Sequence, residues 1–482
     1  MTSGSGINSL AGWLKLWFGL TEPVLRLPYA VSGVCLGVGK YLGEATLVAS
    51  LGAGWLSPID FLNPSLTARR ELLEFAPEWL GWAYFAWNLP FVWIALSMSV
   101  RRCASAGVSP WWGMFVVMPA FGMVEMLILC VVPDRAVDAW QGTAAADQAS
   151  LPMHPQSIAS LKAVLAGLGV GIGMLLMCVY LINSYGAALF LGTPVVMGAV
   201  SGYIYNRDQV RSKWATGGLG WTLMLTAGGA LLLFALEGAI CIVMAAPIVA
   251  PLGILGVFLG RAVAIASSDR RHPLLPVLAV LPMLAGAEQT TQQAPVWCVF
   301  TEVEVAAPPE AVWPHVVAFP DLGEPQEWFF RCGVACPLRA RIVGQGVGAV
   351  RHCEFTTGDF VEPITVWDEP HRLAFDVTSQ PDPLTELSPW RHVHPPHLAD
   401  QSLASQRGEF RLIPLPNGST RLEGRTWYTF DMHPQTYWSL WSDLAIHAIH
   451  RRVLNHIKQL AETQHAALPK VSLQKKPTGE QL

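Results

Sequence analysis

The sequence predicts a multi-span α-helical membrane bundle joined to an α+β soluble domain. Three observations lead there. The chain of 482 residues is 52% hydrophobic and only 14% charged. That excludes a disordered chain and is too apolar for an ordinary soluble globule. The charge is also uneven. Residues 1–290 hold 15 Lys+Arg and 14 Asp+Glu, whereas the rest of the chain holds all the other charges and 11 of the 13 histidines. Finally, apolar runs of the ~20 residues that a bilayer crossing needs recur throughout the front and are missing from the back. The net charge of −4, with no basic stretch, gives no footprint for nucleic acid.

Residues 1–133 form a first membrane module. Its opening LAGWLKLWFGL is short, aromatic and broken by Lys15, so it reads as an interfacial helix rather than a cleavable signal. Spans are expected at about 28–51, 79–100 and 112–133. Residues 134–158, with Asp134, Arg135, Asp138 and Asp147, read as a linker. A second module over 159–290 has spans at 160–182, 185–205, 219–244 and 247–266, and a weaker run at 273–287 with three prolines. Gly167, Gly169, Gly171 and Gly173 are small residues of the kind that let membrane helices approach closely. Lys40 and Glu44 stand one helical turn apart and are expected to pair. Glu125 and Glu237 fall deep in the third and sixth runs. Such carboxylates suggest either transport or a helix-to-helix hydrogen bond.

The expected location is a cell inner membrane, but the orientation does not close. Arg101 and Arg102, then Arg207, Arg211 and Lys213, then Arg261, Arg270 and Arg271 flank apolar runs. The positive-inside rule wants all three groups on one side. Simple alternation puts the first group opposite the other two, so one run is re-entrant or miscounted, or one group is misplaced.

A soluble unit is expected over 295–465, with a disordered tail at 466–482. Its pattern gives a strand at 297–305, a helix after Pro308 and Pro309, and strands at about 339–345, 348–356, 359–367, 371–378, 407–414 and 419–431. Turn signals separate them. A helix at 434–463 carries the stripe Ile446, Ile449, Val453, Ile457 and Leu460. It must bury that stripe against one face of the sheet. Gly344, Gly346 and Gly348 look superficially like a nucleotide loop, but a strand follows them, which makes them a hairpin turn.

EVEVAAPPEAVWPHVVAFPDL, then GQGVGAVRHCEF, DFVEPITVWDEPHRLAFDV and TRLEGRTWYTF before the last helix resemble the START-like (SRPBCC), or polyketide cyclase/lipid-transport, superfamily. The resemblance covers about 295–462. It implies a helix-grip fold, in which a curved antiparallel sheet holds the C-terminal helix around a cavity. FVWIALSMSVRRCASAGVSPWWGMF resembles a small bacterial inner-membrane family of unknown function, although the Asp usual in its loop is absent here.

Candidate site residues follow from faces and spacing. A turn centred on Thr357-Gly358 sets Cys353 opposite Glu362 and Arg351 diagonal to it, on an apolar face. Opposite charges there must pair or meet a ligand. Tyr428 shares the inward face of the last strand with Leu422 and Phe430. Asp443, His447 and His450 lie along one line of the last helix. They read as a solvated shoulder with an Asp–His pair, a proton relay or a partial zinc set. His392, His394 and His397 crowd a proline-stiffened loop that reads as a cover for the cavity mouth or as further metal ligands. The cysteines make no disulfide framework, Cys332, Cys336 and Cys353 make no full zinc set, and no cofactor or metal is expected. The function this supports is binding of a membrane lipid or other hydrophobic small molecule next to the bilayer. An enzyme in the same cavity (a cyclase, dehydratase or hydrolase), a transporter and a scaffold are the alternatives.

Overall fold

The structure is a computed structural model. It describes residues 10–20, 22–50, 54–58, 61, 79–118, 121–134, 155–234, 236–266, 275–291, 295–387, 395–399 and 402–467. Most of the linker, His392 and His394, and residues 468–482 of the tail lie outside these. Two units divide the chain: Met1–Gln292 with Glu386–Pro396, and Gln293–Thr385 with His397–Leu482.

The first unit is helical: α1 Leu10–Phe18, α2 Arg26–Ser50, α3 Trp79–Ser105, α4 Phe121–Val131, α5 Pro155–Leu176, α6 Thr193–Arg207, α7 Lys213–Leu233, α8 Ala239–Ala266 and α9 Leu275–Thr291. Among the described residues, four stretches are long and apolar enough to cross a membrane: Gln156–Leu181, Ala188–Arg207, Lys213–Leu233 and Ala239–Ala266. These four correspond to the runs expected at 160–182, 185–205, 219–244 and 247–266, and two of the expected runs are interrupted. The run at 112–133 splits into a 3-10 turn, Trp112–Val117, and the short α4. The run at 219–244 holds a break, since α7 ends at Leu233 and α8 begins at Ala239. Hydropathy reports composition and does not register where a helix stops. Glu237 therefore sits in a connection, and Glu125 in a helix of 11 residues. Lys40 and Glu44 do pair, at 2.5 Å.

Both buried arginines of α3 act as helix caps. Arg101 donates to the carbonyls of Leu16, within α1, and Glu22, just beyond it. Arg102 donates to Leu129 O (3.0 Å), to Val132 O and to the Asp134 carboxylate (2.6 Å). Cations at helix C-termini satisfy orphan carbonyls and complement the helix dipole. At the other pole, the Glu386 carboxylate accepts from the backbone N–H groups of Ile240 and Cys241 at the start of α8.

α6 and α8 approach each other closely. A Cβ on Gly198 or Gly202 would lie 2.2 or 2.0 Å from the carbonyl oxygens of Gly253 and Val257, and one on Gly260 would lie 2.0 Å from that of Ala199. Of the glycine stripe expected to pack, Gly167 and Gly171 meet Ser201 and Met197, while Gly169 and Gly173 meet nothing within 4 Å. Residues four apart share a face and residues two apart do not.

The second unit holds β1 Trp297–Val305, α10 Pro309–Val317, β2 Pro337–Val343, β3 Val350–Phe355, β4 Gly358–Asp368, β5 Arg372–Asp376, β6 Leu403–Pro414, β7 Thr420–Phe430 and α11 Gln435–Ala467. The strands form one antiparallel sheet in the order β1-β7-β6-β5-β4-β3-β2. It curls around α11 in the helix-grip arrangement. Gly344, Gly346 and Gly348 all have positive φ (92°, 78° and 91°) in the β2–β3 turn, a backbone state glycine adopts without steric cost. The core joins Leu373, Leu412 and Leu422 of the sheet to Val453, Leu454 and Ile457 of α11.

Gly260→Leu should therefore lower the melting temperature of the detergent-solubilised protein, by overpacking worth about 1–3 kcal/mol. Gly169→Leu should leave it unchanged. Equal shifts in the two variants would contradict the α6–α8 contact.

Candidate functional site

The β3–β4 hairpin sets the site. Phe355 pairs with Gly358, so the turn is Thr356-Thr357, one residue earlier than expected, and Arg351 stands directly opposite Glu362 rather than diagonal to it. The sequence marks a turn by its glycine, but Gly358 here takes φ 137° as the first residue of the returning strand. The side chains join, Arg351 Nη1 donating to Glu362 Oε2. Arg351 is 2% exposed and Glu362 6%. Rings of Phe319, Phe375 and Phe410 stack around the guanidinium at 5.4–5.6 Å. Burial works against the charge on Arg351, but Glu362 and Cys353 together outweigh it and hold the guanidinium above its ordinary value. Burial raises the Glu362 carboxyl, with Arg351 pulling the other way. An ion pair removed from water needs this proximity to stay ionised. Among the described residues, Arg351 Nε has no hydrogen-bond partner.

This pair lines a cavity of about 110 Å³ between the sheet and the first half of α11. Phe355, Phe360, Phe375 and Phe410 make its aromatic walls, and Ile446, Ile449 and His450 come from the helix. Gly424 and Gly408 also border it, where the sheet carries no side chain. The volume is close to that of a cavity that accepts a benzene ring, ~150 Å³.

Asp443, His447 and His450 each reach a partner on β1 or β7, not one another. That corrects the solvated shoulder: this row of α11 faces the strands. Tyr428 Oη donates to Asp443 Oδ1 at 2.6 Å. Burial and then this carboxylate hold the phenol well above its usual value. Thr301 Oγ1 lies 2.8 Å from His447 Nδ1 and 3.1 Å from His450 Nδ1, and Thr426 Oγ1 lies 2.8 Å from His450 Nε2. His450 is thus held between two hydroxyls, one nitrogen donating and the other accepting. Burial, then nearby His447, pushes it down to about 4, so it is neutral at pH 7.

Of the six sequence candidates, Arg351, Glu362 and His450 line the cavity, while Tyr428, Asp443 and His447 stand behind it. His397 is buried and lies outside the lining. Sequence reading missed Thr301 and Thr426, which alternation places on the inward faces of β1 and β7. It also missed Phe375, Phe410 and Glu409. Glu409 is 5% exposed. Burial alone would raise its carboxyl, but Arg411 and Arg372 outweigh that and hold it below the usual range.

The low value at His450 fixes a pH dependence. Its unfolded pKa is ~6.5, so the unfolded chain binds the extra proton first. Stability is full above that pH and falls as the pH drops toward about 4, by about 3 kcal/mol in all. His397, also pushed down to about 4 by burial, adds a loss of the same sign. Melting of the full chain should fall between pH 7 and 4.5, and His450→Gln should flatten that slope. An unchanged slope in the variant would contradict the assignment.

Residues 297–462 match the family model described as polyketide cyclase / dehydrase and lipid transport. Similar solved structures include a norcoclaurine synthase from Thalictrum flavum (14% identity, 37% of this chain and 100% of that one, TM-score 0.25). Others are the Zhui aromatase/cyclase from Streptomyces sp. R1128 (15%, 36% and 98%, 0.24) and a protein from Thermobifida fusca (22%, 34% and 93%, 0.22). No curated protein matches the chain. The match to the polyketide cyclase/dehydrase and lipid-transport family model is confined to the C-terminal domain, and the helices before it lie outside that match.

Proposed function

We propose that this is a multi-pass protein of a cell inner membrane whose C-terminal domain binds a hydrophobic molecule, a lipid or isoprenoid, beside the bilayer. The observation that carries the reading is the buried, unpartnered Arg351 Nε–H in the wall of an apolar cavity. A buried donor left unpaired costs about 1–3 kcal/mol, and an acceptor oxygen on a ligand would relieve it. The cavity volume suits a ring or a branched apolar end, with the remainder of the molecule outside. In this reading Arg351 anchors the oxygen and Glu362 holds the guanidinium in place. His450 forms the helix side of the wall, and Tyr428, Asp443 and His447 fix α11 over it. The tether keeps the cavity at high effective concentration near lipid.

A second reading, acid–base catalysis, is favoured by the chain Thr426–His450–Thr301–His447. Hydroxyls and imidazoles in series can pass a proton between the cavity wall and His447.

The test uses the full chain in lipid nanodiscs, with a fatty acid and the alcohol of the same chain length as probes. Arg351→Ala should weaken acid binding about tenfold and alcohol binding far less, because a charge-assisted contact is lost only for the acid. An unchanged ratio with a large melting shift would make Arg351 and Glu362 a purely structural pair. Arg351→Met with Glu362→Leu covers the case in which the single variant fails to fold, since apolar replacement of both partners strands no charge. Chemical conversion of a bound probe, lost in His450→Gln, would favour the enzyme.

A further inference from the structure

We propose that residues 106–132 form a re-entrant hairpin rather than a span, and that the C-terminal domain consequently faces away from the cytoplasm and takes its ligand on that side. The proposal rests on the membrane-embedded reading above and adds the face and leaflet from which the cavity is served.

The hairpin argument is one of length and return. α4 has 11 residues, ~16 Å of helix, against a hydrocarbon core of ~30 Å. Its C-terminal end lies at the C-terminal end of α3, where Arg102 donates to Leu129 O, Val132 O and Asp134. The segment also begins there: the backbone of Val100 is the nearest neighbour of Gly113. Between those ends it dips inward, Met118 packing on Gly229 and Val116 on Gly122. A chain that enters and leaves beside the same two arginines has not crossed.

The basic groups then fall on one end of this unit. Ser109, Pro110 and Trp111 share a cavity with Gln156, Ser157 and Ser160, so α5 starts at the end marked by Arg101 and Arg102. α5 and α6 run antiparallel, with Gln156 on Tyr205 and Gly171 on Met197. This brings Arg207 back to that end. α7 leaves it, with Thr216 bonded to Asn206. α8 runs alongside α6 and returns, Arg261 donating to Arg211 O at 3.2–3.3 Å. Six basic residues therefore cluster there among the described residues: Arg101, Arg102, Arg207, Arg211, Lys213 and Arg261. Of the connections at the opposite end, 182–187 and 234–238 contain no Lys or Arg, and 51–78 contains two, Arg69 and Arg70. By the positive-inside rule the basic end is cytoplasmic. The mismatch between charge and alternation disappears, because one apolar run was counted as a crossing and is not.

The last helix gives the exit. Along α9, Leu281 packs on Gly192, and Glu288 accepts from the backbone N–H of Ala188 at 3.1 Å. Both partners lie at the uncharged end. α9 thus ends at the end of this unit opposite the arginines. Residues 386–396 belong to this same unit, and Glu386 is held at that end too, on the start of α8. Long domains cross with little regard to charge, so the acidic C-terminal domain is no obstacle.

The experiment is labelling of single cysteines in the full chain, in spheroplasts, with a membrane-impermeant maleimide before and after permeabilisation. Cys298, which is exposed, is retained for the soluble domain, and Val108→Cys, Asp138→Cys and Gln209→Cys are each placed in a chain whose native cysteines are serine. Cys298 should label at once, and the other three only after permeabilisation. Val108→Cys and Asp138→Cys on opposite sides would make 106–132 a span. Cys298 labelling only after permeabilisation would put the domain in the cytoplasm. Either result overturns the proposal. Should the cysteine-depleted chain fail to accumulate, alkaline phosphatase fused after Leu482 of the native chain should be active, and an inactive fusion at normal membrane levels overturns it equally. These signals report location whatever the cavity holds. Loss of lipid binding leaves them unaltered and counts against the ligand reading alone.

Discussion

The packing of α11 against the concave sheet is the constraint on which the C-terminal domain depends. One helix of 33 residues meets the strands in two different ways. Its second half is apolar, and Val453, Leu454, Ile457 and Ala461 are buried with the strand core. Its first half meets the sheet through hydrogen bonds, Asp443 to Tyr428 and the two histidines to Thr301 and Thr426. Polar partners hold the helix at a fixed distance without filling the space beneath it. The cavity is the result, and the buried Arg351–Glu362 pair is tolerated in its wall because each charge has the other.

A comparable economy governs the helical unit. Helices in lipid must satisfy every backbone group internally, and the ends of short helices are where that fails. Arg101 and Arg102 supply the missing donors for α1 and α4, helices of 9 and 11 residues. The adjacent arginines diverge, one to each helix end, so the pair acts as a clasp. Where helices run long, glycine takes over: α6 and α8 touch backbone to backbone at Gly198, Gly202 and Gly260, and contact distance replaces hydrophobic drive as the source of affinity.

The sequence alone determined the division into an apolar front and a soluble back, the seven strands and their order along the chain, the closing helix, and the inward faces that carry Arg351, Glu362 and Tyr428. Those features follow from local periodicity: alternation of two in strands and of 3.6 in helices, with glycine and proline at the breaks. Tertiary structure decided the rest. The β3–β4 register depends on which residues the turn consumes, and a shift of one turn residue moved Arg351 from diagonal to directly opposite Glu362. Which glycines pack depends on the neighbouring helix, not on their own spacing, so Gly169 and Gly173 are idle while Gly198 and Gly260 are not. The partners of Asp443, His447 and His450 lie on strands more than a dozen to about a hundred and fifty residues away, beyond any local pattern. Whether an apolar run crosses or turns back depends on where its two ends are held. For residues 106–132 the relevant contact is Arg102 reaching a carbonyl 27 residues away, a long-range contact that no hydropathy window contains.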